Sequence, residues 1–150
     1  MRALFLAITL AIAASAFGSA HAASCSIDLK VGDTMGYDQH SVTVGSACTE
    51  VTVRLAHTGH LPVQTMGHNV VIGAADAVQG IAQDGAQAGP AANYVKPGDP
   101  RVIAATKLVG GGQSTGTSFP GSALKSGGAY RFFCTSPGHL AQMTGQLVVQ

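Results

Sequence analysis

Along most of the chain, apolar and polar residues alternate in short runs. Ser41-Val42-Thr43-Val44, Val51-Thr52-Val53-Arg54-Leu55 and Gly145-Gln146-Leu147-Val148-Val149 follow a period of two and are bounded by Gly, Ser or Asp. That is the pattern of strands with one face in a core and the other in water. Asn69-Val70-Val71-Ile72, Arg101-Val102-Ile103-Ala104 and Tyr130-Arg131-Phe132-Phe133 are further strand candidates. About seven short strands within one domain's length predict an all-β sandwich or barrel. One stretch breaks the pattern. Residues 74–88 are rich in Ala and Gln and place Val78, Ile81 and Ala82 at helical spacing, with Gly80 and Gly85 weakening the helix and Gly89-Pro90 closing it. They predict one short helix inserted between strands. Gly110-Gly111-Gly112 marks a turn.

The first residues are patterned differently. Met1 and Arg2 give a positive start, residues 3–17 form an almost unbroken apolar run, and Ala20-His21-Ala22 is a small-x-small cleavage signature. The combination predicts a secretory signal peptide, residues 1–22, cut after Ala22. The apolar run is about 15 residues long, short of the roughly 20 that a membrane-spanning helix needs. Residues 23–150 are then expected to be one exported, periplasmic domain with no membrane attachment after cleavage. Charge adds an exclusion: only 10% of the 150 residues are charged, with 8 basic against 7 acidic side chains. No basic face for nucleic acid can be assembled from so few. The sequence also has no GxGxxG, P-loop or GxSxG motif.

Export makes the three cysteines, Cys25, Cys48 and Cys134, informative, because disulfides persist outside the cytoplasm. Three is odd, so at least one is left over. Cys25 and Cys48 flank the kind of short N-terminal stretch that a small exported β domain closes with a bridge. Cys134 opens the run Cys134-Thr135-Ser136-Pro137-Gly138-His139-Leu140-Ala141-Gln142-Met143, which holds a thiolate, an imidazole and a thioether, all soft or borderline ligands, around a Pro-Gly turn. Met66-Gly67-His68-Asn69 offers a second imidazole from far away in the chain. Two His, one Cys and a weak axial Met form the donor set of an electron-transfer copper site. Taken singly, a buried Cys, a core Met and a surface His would each be ordinary. Together in an exported β domain they point to copper, and zinc has little use for a thioether.

On these residues the chain resembles the cupredoxin family of type 1 blue copper proteins. The likeness runs from Ala23-Ser24-Cys25 to Val149-Gln150 and includes Leu61-Pro62, Met66-Gly67-His68-Asn69, Arg101-Val102-Ile103-Ala104, Thr106-Lys107-Leu108 and Phe132-Phe133-Cys134-Thr135. The Cys-x4-His-x3-Met step is that of one branch of the family; plastocyanin-like members use a shorter step from Cys to His. The resemblance implies an eight-stranded Greek-key β-sandwich and one type 1 copper per chain. It also implies His68, Cys134 and His139 as equatorial ligands, Met143 as the weak axial ligand, the Gly67 carbonyl as a distant contact opposite it, and a Cys25–Cys48 disulfide. Asn69 matches the family's asparagine that ties the two ligand loops together. His57 matches a histidine beside the site that does not bind metal. His40 and His60 match nothing and are expected on the surface.

Four positions depart from the family. Ser136 stands where relatives have Phe, Val70 where they bury Trp, Ala86 where they carry Met, and Gln142 where they carry Leu. Val70 requires a repacked core. The other three are expected on or near the surface around His139, leaving a smaller, more polar docking patch built from Met35, Leu61, Met66 and Pro137. The backbone N–H of Ser136 is expected to point at the Cys134 sulfur, with its hydroxyl adding polarity beside the site.

The function expected is a periplasmic, monomeric one-electron carrier cycling between Cu(II) and Cu(I), not an enzyme. Its partners, by resemblance, are redox proteins such as c-type cytochromes and nitrite reductase. A copper-storage protein would use the same ligands but need an exposed Met- or His-rich entry. A metal-free adhesive sandwich would have no reason to place Cys134, His139 and Met143 as they stand.

Overall fold

The computed structural model describes residues 24–150. The leader expected at residues 1–22 lies outside them. Eight strands form two sheets: β1 (Ser26–Val31), β2 (Ser41–Val44), β3 (Glu50–His57), β4 (Val71–Ala74), β5 (Val102–Ala105), β6 (Ser114–Pro120), β7 (Tyr130–Phe133) and β8 (Thr144–Val149). The three-stranded sheet has the order β1-β3-β6 and the five-stranded sheet the order β2-β8-β7-β4-β5. β1 runs parallel to β3 and β2 parallel to β8; the other pairs are antiparallel. This is the expected eight-stranded cupredoxin sandwich. α1 (Val63–Met66) is a single turn, and α2 (Val78–Ala88) packs outside the larger sheet.

Alternation explains the layers. β1 and β3 bury every second residue, so Ile27, Leu29, Val31, Val51, Val53 and Leu55 face inward. They meet Val42, Val44, Phe132, Leu147 and Val149 of the larger sheet in one apolar cluster. A smaller cluster of Val71, Val78, Ile81 and Phe133 seats α2 on the outer face. Each buried aliphatic or aromatic side chain contributes about 1.5–3 kcal/mol of burial free energy. Val70 is buried within the main cluster, which also contains the edge-to-face pair Tyr37 and Phe132, ring centres 5.5 Å apart.

Three local expectations shift. The fourth strand starts two residues later than the apolar run suggests, because Asn69 and Val70 are taken by other partners: Val70 N–H donates to Thr106 Oγ1 at 2.9 Å, outside the sheet ladder. Ala74 belongs to β4, paired with Tyr130, so the helix begins at Val78 rather than Ala74. β6 was not anticipated, since Ser114-Thr115-Gly116-Thr117-Ser118-Phe119-Pro120 has one large apolar residue; its pairing along the whole of β3 makes it a strand. Gly85 weakens α2 but is required there, because a Cβ would lie 2.0 Å from the Tyr94 carbonyl oxygen. A disulfide joins Cys25 to Cys48, with Cα atoms 5.6 Å apart, and ties the start of β1 to the loop before β3. No helix among the described residues is long and apolar enough to cross a membrane.

Candidate metal centre

His68, Cys134 and His139 converge at one end of the sandwich. One ligand atom from each lies within 4.8 Å of the others. His68 follows α1 and is held by paired backbone hydrogen bonds with Val109, 3.0 and 2.9 Å. Cys134 leaves the end of β7, and a closed loop carries the chain to β8. Cys134 N–H donates to Met143 O at 3.0 Å, His139 N–H to Ser136 O at 3.0 Å, and Met143 N–H to His139 O at 2.9 Å. Gly138, with φ +84°, makes the turn that L side chains resist. Met143 is wholly buried within the main core cluster and enters β8 directly.

The donors are placed for a cation. His68 Nδ1 and His139 Nδ1 are 3.2 Å apart, and Cys134 Sγ is 3.7 Å from His139 Nδ1. Two imidazole nitrogens of the same kind facing each other can share one proton at most, and doubly protonated rings would repel. Burial first, and then the neighbouring His139 and His57, lower the pKa of His68 from 6.5 to about 4; burial also lowers that of His139. Both rings therefore present lone pairs at neutral pH. Burial raises the pKa of the Cys134 thiol, while the Asn69 and Ser136 backbones and the Ser136 side chain oppose that rise. A cation at the convergence of the three atoms supplies the charge that burial withholds from the thiolate. His68 Nε2, buried on the far side of the ring, has no hydrogen-bond partner among the described residues. The donor set of two imidazoles, one thiolate and a loop methionine fits copper.

A neutral hydrogen-bond web fixes the two ligand segments to each other. Asn69 is fully buried; its Oδ1 accepts from Thr135 N–H at 3.0 Å, and its Nδ2 donates to Thr135 Oγ1 and to Asn93 O, each at 2.8 Å. Asn93, in the left-handed region at φ 56°, turns its own Oδ1 to Leu108 N–H at 2.9 Å. The Tyr37 hydroxyl donates to the Asn69 carbonyl. The expected tie between loops is therefore present, and it reaches further than the sequence indicated. Tyr37 and Asn93 were missed; a lone Tyr and an Asn in a loop carry no local signal of such a role.

The remaining expected residues are distributed as follows. His57 is buried beside His68, ring centres 5.2 Å apart, with Nε2 3.0 Å from Met66 O and Nδ1 accepting from Gly59 N–H at 3.1 Å. Both of its nitrogens are occupied, so it is no ligand. His40 and His60 are exposed. Ala86 and Gln142 are exposed as expected, but Ser136 is not: it is only 7% exposed, and its hydroxyl donates to Gly67 O at 2.7 Å. Seryl bulk is small enough for the loop to fold over it, which a sequence reading cannot anticipate. Leu61 is the exposed large apolar side chain among the described residues, with Met35 and Met66 half-buried and Pro137 exposed.

Residues 23–150 match the family model described as copper binding proteins of the plastocyanin/azurin family. Azurin of Pseudomonas denitrificans is 47% identical over 128 residues, covering 85% of this chain and all of the relative. Azurin of Pseudomonas aeruginosa PAO1 is 45% identical over 129 residues, 86% of this chain and 87% of the relative. The solved azurin iso-2 of Methylomonas sp. strain J superposes with a TM-score of 0.81 at 44% identity, over 85% of this chain and 99% of its own.

Proposed function

The chain belongs to the plastocyanin/azurin family of copper-binding proteins and is a blue copper electron-transfer protein, and from that premise we propose how its residues hold the metal and where it works. His68 and His139 would hold copper through Nδ1 and Cys134 through Sγ, with the Met143 thioether as a weaker fourth donor and the Gly67 carbonyl as a more distant oxygen. The observation that carries this assignment is the convergence of the three ligand atoms within 4.8 Å, two of them fully buried. Copper, when bound, supplies the one-electron couple between Cu(II) and Cu(I).

The protein's own residues do the rest. Asn69, Thr135 and Asn93 hold the ligand segments in one geometry, so little has to move when charge changes. Buried walls of Val, Phe and Met exclude water from the thiolate. His139, 9% exposed, brings one ring of the ligand set to the surface and is the electron port. No coordination position is left for a substrate, so the protein is a carrier and not an enzyme.

The rest of the proposal follows from the leader pattern and the family. Residues 1–22 direct export and residues 23–150 act in the periplasm as a monomer. Its partners are redox proteins, c-type cytochromes as donors and nitrite reductase as an acceptor, docking on the face around His139. Leu61 is the exposed large apolar side chain among the described residues, and so little exposed apolar surface suits brief encounters better than a stable dimer. The test is the absorption spectrum of purified protein titrated with Cu(II). An intense blue thiolate band saturating at one copper per chain is expected, and Cys134→Ser should abolish it. A colourless complex in the unaltered protein would overturn the assignment.

A further inference from the structure

Ser136 links the two chain segments that carry the ligands. Its carbonyl accepts from His139 N–H at 3.0 Å, its backbone favours the thiolate of Cys134, and its hydroxyl donates across the site to Gly67 O at 2.7 Å, the peptide immediately before His68. The hydroxyl also opposes the rise that burial imposes on the Cys134 pKa. It has a single proton, and the contact that meets hydrogen-bond geometry is the one to Gly67 O. That peptide is wedged from behind: a Cβ on Gly67 would lie 2.4 Å from Val63 O and 3.0 Å from Leu108 Cδ2. Gly67 thus has no room for a side chain against Val63 and Leu108, and its carbonyl is fastened to the loop by Ser136.

We propose that the Ser136 hydroxyl is a positioning residue that claims the Gly67 carbonyl as a hydrogen-bond acceptor and so withholds it from copper. This inference rests on the ligand assignment above. A carbonyl oxygen that accepts a buried hydrogen bond donates less density elsewhere, and its orientation is set by the donor. Less oxygen donation destabilises the more highly charged Cu(II) form relative to Cu(I). The centre is then governed by His68, Cys134, His139 and Met143, with the fifth, oxygen contact weakened. A phenylalanine at this position would have no hydroxyl to give, so the device belongs to the serine.

Ser136→Ala removes the hydroxyl and little volume, whereas Ser136→Thr keeps it. Two measurements separate the questions. In the metal-free protein, the carbonyl carbon resonance of Gly67 should move in Ser136→Ala and return in Ser136→Thr, reporting the hydrogen bond without copper. In the copper protein, the preference for Cu(I) over Cu(II), read from the reduction potential, should fall by about fivefold in Ser136→Ala, the weight of one ordinary hydrogen bond, and recover in Ser136→Thr. The blue band should persist in all three proteins. An unmoved Gly67 resonance overturns the hydrogen bond. A moved resonance with an unchanged or raised potential overturns the tuning role and leaves a merely structural tie. Absence of a blue band in the unaltered protein would instead strike the ligand assignment.

Discussion

Two polar clusters fasten distant segments of this molecule, and they do it by opposite physics. At the metal end, Asn69, Thr135 and Thr106 are neutral and buried, the half-buried Asn93 joins them, and the side-chain hydrogen bonds that link them to each other and to the adjoining backbone run from 2.8 to 3.1 Å. Beside α2, Arg101 bridges Asp84 and Asp99, each at 2.6 Å, and Lys96 reaches Asp84 at 3.3 Å. The Asp99 carboxylate is buried, but the cations that meet the cluster's charge stay in contact with water, the Arg101 and Lys96 side chains being 37% and 56% exposed. Charge is tolerated where solvent shares its cost, and neutral groups are used where it does not. A site that must change charge by one electron without rearranging is better framed by fixed neutral dipoles than by ions that would respond to every change.

That contrast can be broken most severely at Asn69. Asn69→Leu should cost about 3–4 kcal/mol in chemical denaturation, since three hydrogen bonds go and buried partners are left unpaired. The blue band should shift or broaden because the ligand loops lose their tie. Unchanged stability would mean the web is decoration. Next comes the disulfide, a covalent fastening away from the metal. Replacing Cys25 and Cys48 together should cost roughly 2–3 kcal/mol while leaving the spectrum intact, and thiol titration of the unfolded metal-free protein should find a single free thiol. Within the dry region, Met143→Leu should keep the blue band and raise the potential, because one weak donor fewer in an apolar setting favours Cu(I).

The sharpest comparison comes from pH in the metal-free protein. His68 is depressed from 6.5 to about 4. The unfolded chain therefore binds the extra proton first, and the stability this site contributes is full above 6.5 and lost as pH falls toward 4. Asp99 is depressed from 3.8 to about 2, chiefly by its hydrogen bond from Arg101. Its contribution is full above 3.8 and lost as pH falls through 2. Denaturation midpoints should decline in two separate windows, with Asp99→Asn flattening only the lower one. Added salt should weaken the Arg101 cluster and leave the Asn69 web untouched.

Much of the proposed site was legible because three of its four assigned donors sit in one ten-residue loop. Cys134, His139 and Met143 are close in sequence, so a turn at Pro137-Gly138 suffices to gather them. His68 was legible as the second imidazole that the donor set required. Ser136 was not. As a residue beside Pro-Gly it looked like surface, and only the approach of the α1 turn put a carbonyl over its hydroxyl.

The same division holds for the fold. Period-two alternation by itself determined that the chain makes an all-β sandwich or barrel, because burying one face of a strand is a local demand written every second residue. Helical spacing and side-chain chemistry, equally local, determined the helix up to its first residues and the donor types of the metal loop. Tertiary structure alone decided β6, whose small polar residues become a strand only by pairing with β3. It likewise decided the late start of β4 and the reach of the Asn69 web to Asn93 and Tyr37. Hydrogen bonds between residues dozens of positions apart leave no period in the sequence; they exist only once hydrophobic burial has brought the segments together.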